Sequence, residues 1–133
     1  RAGAPAPQAV AARVAQVLQA PGVLVRRRID LARLAQAVQG SLHQDWPTAR
    51  LAALCHLSAQ RFHARLVELT GRTPQAWLRD LRLNRAEHLL AHGQPLETTA
   101  LACGYASASA LAYALKRERG LGARDLRRAN TIE

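Results

Sequence analysis

The sequence predicts an all-α protein, and three observations support that class. Ala, Leu, Arg and Gln, which favour helix, are abundant in the 133 residues, whereas β-branched residues are sparse. Apolar residues recur at helical spacing in segments bounded by capping residues, Pro and Gly. A pattern of short helix, tight turn and longer helix also occurs twice, about 48 residues apart. The length allows one modest domain or two very small ones.

Two helices are predicted before the first copy of that pattern. The first spans residues 8–19 after an Ala- and Pro-rich start, and Pro21-Gly22 stops it. Its apolar face carries Val10, Val14, Val17 and Leu18. The second is expected from Leu31 to His43 with Asp30 as its N-cap. Its apolar stripe consists of Leu31, Leu34, Ala35, Val38 and Leu42.

The repeated pattern is typical of a helix-turn-helix unit. The first copy is a short helix over 49–55, a turn at His56 and a helix capped by Ser58 that ends at Gly71. Its predicted inward residues are Phe62, Leu66 and Leu69. The second copy starts at Pro95, turns at Gly104, continues after Ser107 with Leu111 and Leu115 inward, and ends near Gly120. In both copies a small Ala lets the helices cross closely, and the turn residue is expected in the left-handed conformation.

A single long helix is predicted between the two copies. Thr73 is its N-cap, Pro74 its first residue and Gly93 its stop. Its length of about 28 Å suits a spacer. The expected organisation is a linker with a short helix over 1–29, a first helix-turn-helix subdomain over 30–72, a connecting helix over 73–93 and a second subdomain over 94–133. A last helical turn is predicted at 125–128.

The charge predicts a polyanionic partner. The formal net charge is +10, and so basic a small domain suits nucleic acid. A membrane surface would need an amphipathic helix with a bare apolar face, and each apolar face here is better used as core. No apolar run is long enough to span a membrane, and no leader is recognisable.

Reactive and metal-binding patterns are missing from the sequence. Cys55 and Cys103 lack a second ligand pair, so both are expected to be small buried side chains in a reducing compartment. His88 and His92 have zinc-compatible spacing but no third ligand nearby, and they are expected at the surface. With no phosphate loop and no nucleophile motif either, we predict no catalytic residue, no metal and no cofactor, and therefore no enzyme.

Helical geometry predicts which side chains face outward on the two longer helices of the repeat. With Phe62 inward, Gln60, His63, Ala64 and Val67 point outward, and Arg61 and Arg65 lie on the flanks. Gln can pair with adenine and Arg with guanine. The alternative, that these are only solvated surface residues, is less favoured in a duplicated, capped unit of a basic chain. With Leu111 inward, the outward residues are Ser109, Ala112, Tyr113, Lys116 and Arg117. This second surface is poor in base-reading groups, so the first unit is expected to specify sequence and the second to add affinity.

From about Leu31 to Arg128 the sequence resembles the DNA-binding domain of the AraC/XylS family of bacterial transcription regulators. The resemblance rests on Leu51-Ala52, Leu57-Ser58, Phe62, Gly71, Pro74, Leu81-Arg82-Leu83-x-x-Ala86-x-x-Leu89-Leu90, Ala100-x-x-x-Gly104-Tyr105, Leu111 and Gly120. It implies seven helices, with two helix-turn-helix units joined by a central helix. It also implies base contacts at Gln60, His63, Ala64, Ser109, Ala112 and Tyr113, to which the helical geometry adds Arg61. Phosphate contacts are expected from Ser58, Arg65, Arg72, Thr73, Ser107, Lys116 and Arg117.

Four departures from the family pattern stand out. His56 occupies the first turn, where the family has Gly, and Thr99 replaces Ile or Val. Leu111 and Leu115 replace Phe, and Gly122-Ala123 replaces the Ser-Pro that starts the last helix. The last three departures weaken the second unit.

The resulting expectation is a sequence-specific, double-stranded DNA-binding module of a bacterial transcription regulator, most often an activator in this family, with recognition helices in successive major grooves. Such a protein works in the cytoplasm at the nucleoid and can contact RNA polymerase. An effector-binding or dimerisation domain is expected outside this chain. The alternative is a protein-interaction module of the same fold that has lost specific DNA binding, which the weaker second unit favours.

Overall fold

The computed structural model describes residues 28–126. Within this range the chain forms six α-helices, a further helical turn at 123–126 and no strand. The helices are α1 (Leu31–Gln39), α2 (Thr48–Leu54), α3 (Ala59–Thr70), α4 (Pro74–Ala91), α5 (Leu96–Ala102) and α6 (Ala108–Arg119). The helix predicted over 8–19 and the residues Arg127 and Arg128 lie outside the described residues.

The predicted capping residues start and end the helices. The side chains of Asp30, Ser58, Thr73 and Ser107 each accept a hydrogen bond from the backbone N–H three residues later, at 3.1 to 3.2 Å. These bonds satisfy donors that the first turn of a helix otherwise leaves free. Gly71 and Gly120 end α3 and α6 in the left-handed conformation. The helix boundaries therefore follow from local sequence.

The end of α1 differs from the prediction. The helix stops at Gln39 instead of His43, because Gly40 closes it and a turn follows. Leu42 lies in this turn and is still buried. The buried Trp46 holds the turn through its indole N–H, which donates to the Ser41 carbonyl at 2.8 Å. Apolar spacing therefore continued past the end of the helix.

Two predicted core positions are also wrong. Leu69 is 55% exposed, because it lies in the last turn of α3, past Phe62 and Leu66, the two residues of this helix that the core covers. Cys55, at the end of α2, is half-buried, whereas Cys103 is fully buried as predicted.

The described residues form two hydrophobic cores that share the central helix α4. In the first core, α4 places Leu78 against α1, α2 and α3. In the second, it places Leu83, Ala86 and Leu90 against α5 and α6. Its apolar residues therefore face one side in the first half of the helix and another side in the second half. Arg82 lies where the buried face of α4 passes from the first core to the second.

The second core is built from smaller side chains than the first. Phe62 and Trp46 are buried in the first core, whereas α6 has Leu111 at the position equivalent to Phe62, and neither Phe nor Trp is buried in the second core. Thr99 is fully buried, and its hydroxyl donates to the Pro95 carbonyl at 2.8 Å. That bond satisfies the polar group that this departure from the family pattern places in the core.

No helix among the described residues is long and apolar enough to cross a membrane.

Candidate nucleic-acid interface

The N-terminal half of α3 presents polar side chains to solvent. Gln60, Arg61, His63 and Ala64 are all exposed, as the helical geometry predicted. The side chains of Gln60, Arg61 and His63 make no hydrogen bond or ion pair with any described residue. They start two residues after the Ser58 cap, so they project from the end of the helix that enters a groove in DNA-bound units of this kind. Their donors and acceptors are free to meet base edges.

The corresponding surface of α6 is different. Ser109 is exposed, Ala112 is partly covered, and Tyr113 is 65% exposed. The Tyr113 hydroxyl accepts a hydrogen bond from Arg117 at 3.3 Å, and Arg117 also lies 3.9 Å from Glu118. Lys116 is exposed beside them. The polar groups of α6 thus lie mainly towards its C-terminal half, with small side chains at its tip.

The three hydroxyl groups predicted to contact phosphates all serve as helix caps. In Ser58, Thr73 and Ser107 the oxygen accepts from a backbone N–H. Each hydroxyl can still donate its own hydrogen, because a hydroxyl is donor and acceptor at once. Capping and phosphate binding are therefore compatible at these positions.

Two arginines predicted to contact phosphates are already paired with acidic residues. Arg65 lies 3.5 Å from Glu68, and Arg72 lies 3.1 Å from Asp80. Both pairs are partly exposed, and such pairs are worth about 0–1 kcal/mol. A phosphate can replace or share these partners at little cost.

Asp80 belongs to a charged cluster that the sequence did not reveal. Its carboxylate also lies 3.5 Å from Arg119, at the end of α6. Arg119 donates further hydrogen bonds to Glu87 and to Asn84, both on α4. Arg119 is 32 to 39 residues away in sequence from these partners, so no local spacing pattern indicates the cluster. It joins the ends of α3 and α6 to one carboxylate on the central helix.

Burial changes the acidity of both cysteine thiols, and the histidine pair lies at the surface. Burial raises the pKa of the Cys103 thiol to about 11, although Arg85 and Arg82 oppose the shift, and burial also raises the pKa of Cys55. The His88 and His92 rings lie against each other, with centroids 4.3 Å apart and planes tilted by 39°. In the described part of the chain no three His, Cys, Asp or Glu side chains lie close enough together to hold a metal.

Comparison with known proteins identifies the family. A family model described as a helix-turn-helix domain matches residues 51–129, more than half of the chain. The HTH-type transcriptional activator RhaS of Escherichia fergusonii is 39% identical over 72 residues, which are 53% of this chain and 26% of that protein. The chain belongs to the AraC-type helix-turn-helix family. Its family and fold are those of DNA-binding transcription regulators.

Solved structures of AraC-type domains share the fold. The DNA-binding domain of AdpA, a global transcriptional factor solved in complex with a target DNA, matches with a TM-score of 0.67 and 29% identity, over 77% of this chain and 93% of that one. An AraC-type regulator from Chromobacterium violaceum matches with a TM-score of 0.69 over 75% of this chain and 90% of that one. At 21% identity the latter shows the fold alone. The chain spans about a quarter of the length of RhaS.

Proposed function

We propose that this AraC-type chain binds a specific double-stranded DNA sequence as the reading module of a bacterial transcription regulator. In the proposed complex, α3 and α6 enter successive major grooves on one face of the duplex. The 18 residues of α4 span about 27 Å, which is compatible with one turn of DNA of about 34 Å when the recognition helices project beyond its ends. The observation that carries the proposal is the set of exposed, unpaired side chains of Gln60, Arg61 and His63 at the start of α3.

The two units contribute differently in this proposal. Gln60 and Arg61 carry side chains that can bond adenine and guanine bidentately, so α3 specifies sequence together with His63 and Ala64. At the tip of α6, Ser109 and Ala112 have little capacity to read bases, and Tyr113 is engaged by Arg117. Lys116 and Arg117 favour phosphate contacts, which position a protein on the duplex without reading sequence. α6 therefore mainly adds affinity.

We further propose that the regulator is an activator. The relative RhaS is a transcriptional activator, and 39% identity over 72 residues favours the same role here. RNA polymerase is the expected partner of an activator. Control by an effector-binding or dimerisation domain outside residues 1–133 completes the proposal.

A protein-interaction module of the same fold is the second candidate. The observation that favours it is the tip of α6, where alanines at 108, 110 and 112 surround Ser109. A helix with this tip could contact another protein as readily as DNA.

Binding to duplex DNA at several salt concentrations separates the two candidates. Duplexes are first selected from a random pool. The dissociation constant of the selected duplex is then measured by fluorescence anisotropy at NaCl concentrations from about 50 to about 300 mM. Four cationic phosphate contacts, from Arg65, Arg72, Lys116 and Arg117, predict a slope of log affinity against log salt of about −4. Undetectable binding to every duplex would reject the DNA-reading proposal and leave the interaction module.

A further inference from the structure

Arg82 joins the central helix to the first unit. It lies on α4 between Leu81, which packs on the first core, and Leu83, which belongs to the second. Its guanidinium donates to the carbonyl oxygens of Leu42 at 3.1 Å and Gln44 at 2.8 Å, in the turn after α1. These acceptors are about 40 residues away in sequence, so the bonds are tertiary contacts.

Gly104 brings the second unit onto the same spot. It occupies the turn between α5 and α6 with a φ of 90°. A Cβ atom added there would lie 2.5 Å from the Leu42 carbonyl oxygen, 2.8 Å from the Arg82 Nε and 2.9 Å from the Arg82 Cζ. The first of these atoms is backbone and cannot move aside as a flexible side chain can. The turn of the second unit therefore lies directly against the turn after α1.

The contact among Arg82, Gly104 and the Leu42 carbonyl is partly buried. The Arg82 Nε is fully buried and has no hydrogen-bond partner among the described residues. The hydrogen bonds that this guanidinium makes to described residues both go to carbonyl oxygens of the first unit. Removing the guanidinium leaves the carbonyl of Leu42, whose bond to Arg82 is partly buried, without this donor.

We infer that Arg82 and Gly104 are positioning residues that hold the two helix-turn-helix units at one fixed separation, so that the chain accepts a single spacing between its two half-sites. The inference rests on the proposed function. Without this contact, α4 would be the main connection between the two units. The contact of Gly104 with Leu42 joins the units directly. A fixed arrangement lowers the ordering cost of binding both half-sites together.

The test compares the full chain with Arg82→Ala on duplexes that differ only in half-site spacing. Starting from the selected duplex, one to five base pairs are inserted between the half-sites, and a duplex with only the first half-site is included. The parent chain is expected to lose about tenfold in affinity on the first insertion, because one base pair moves the second groove by about 3.4 Å along the axis. Arg82→Ala is expected to lose most of this discrimination while binding the first half-site as the parent does. Gly104→Ala is expected to weaken binding at the parent spacing.

A second measurement does not require DNA. The rotational correlation times of residues 31–72 and 96–119 are obtained separately from 15N relaxation. We expect one common value in the parent chain and two values in Arg82→Ala. Arg85→Ala is the matched control, since Arg85 is an exposed arginine of the same helix, three residues away. If Arg82→Ala does not fold, Arg82→Lys takes its place, because lysine keeps the charge without the planar guanidinium.

The outcomes separate the two proposals. An unchanged spacing preference together with one common correlation time in Arg82→Ala or Arg82→Lys would overturn the positioning role. Failure of the parent chain to bind any duplex would instead reject the proposed function, and the relaxation data would still decide the positioning role.

Discussion

His56 adopts a φ of 57° in the turn between α2 and α3 and is the one non-glycine residue with positive φ in the described part of the chain. Gly104 takes the left-handed conformation at the equivalent turn of the second unit. A side chain in this conformation costs about 1–2 kcal/mol, because its Cβ approaches the following carbonyl oxygen. The first unit therefore carries a strained turn residue that the second avoids.

Glycine at position 56 is expected to stabilise the protein relative to alanine at the same position. His56→Ala keeps the Cβ and loses the imidazole, whereas His56→Gly loses both. The difference between the two variants in the free energy of unfolding therefore contains two contributions. Relief of backbone strain favours the Gly variant, and the larger entropy of glycine in the unfolded chain opposes it. We expect the Gly variant to be more stable by about 0.5–1 kcal/mol in urea denaturation. Equal stability of the two variants would rule out strain at this turn.

The two cysteines are expected to react with thiol reagents at very different rates. Cys103 is fully buried and has a pKa of about 11, whereas Cys55 is half-buried. Only the thiolate attacks, so iodoacetamide at neutral pH should modify Cys55 first, as read by peptide mass spectrometry. Equally fast modification of Cys103 would contradict its burial.

The raised pKa of Cys103 also predicts a pH dependence of stability. Its folded-state pKa of about 11 lies above the ordinary thiol value of 9.0, so the folded protein holds this proton more tightly. The associated stabilisation is complete below about pH 9 and is lost as the pH rises towards 11. A variant Cys103→Ala should lack this part of the alkaline decline in the free energy of unfolding.

At the scale of the helices, the last helical turn begins with an incomplete cap. The Gly122 N–H donates to the Asp125 carboxylate at 2.9 Å, but Gly122 has no side chain to return a bond. A Cβ added at Gly122 would make ordinary contact with Asp125 at 3.5 Å, so the site tolerates a side chain. Half of a capping box is thus present.

Completing this cap is expected to stabilise the second unit. The double variant Gly122→Ser with Ala123→Pro supplies the capping hydroxyl and a proline at the first helical position. We expect a gain of about 1 kcal/mol in the free energy of unfolding, since both changes act at compatible positions. Thermal denaturation with Gly122→Ala as control measures it, and an equal effect of the control would show that the hydroxyl is not used.

The sequence predicted the elements well because their ends are local. Each capping bond joins residues three apart in sequence, which a sequence pattern can reveal; the capping residues are Asp30, Ser58, Thr73 and Ser107. The misplaced end of α1 and the exposed Leu69 have another cause. Apolar spacing shows which residues can be buried, but it does not show where the covering element stops.

At the scale of the whole molecule, the contacts that join the units were not predictable from spacing. Arg82 bonds carbonyls about 40 residues away, and Arg119 reaches Asp80 and Glu87 across more than 30. Which arginine meets which acceptor depends on the packing of all six helices. The side chains expected to face outward on α3 were found exposed because one helix determines their direction. Their contacts with bases stay a prediction.

The unequal cores predict unequal local stability. The second core has neither Phe nor Trp among its buried residues, whereas Phe62 and Trp46 are buried in the first. Residues after Gln94 should therefore open more readily than the first unit, with lower amide-exchange protection in α5 and α6 than in α2 and α3. Equal protection of both units would count against this view.

Whether α3 carries the sequence specificity is tested most directly by competition anisotropy on the selected duplex. Gln60→Ala and Arg61→Ala should each cost about 1–3 kcal/mol in binding and relax the preference at the contacted base pairs. Ser109→Ala should cost much less, and Gln36→Ala, which removes an exposed glutamine from α1, should have no effect. A dominant effect of Ser109→Ala or Tyr113→Ala, with little change in Gln60→Ala and Arg61→Ala, would contradict the assignment of sequence reading to α3.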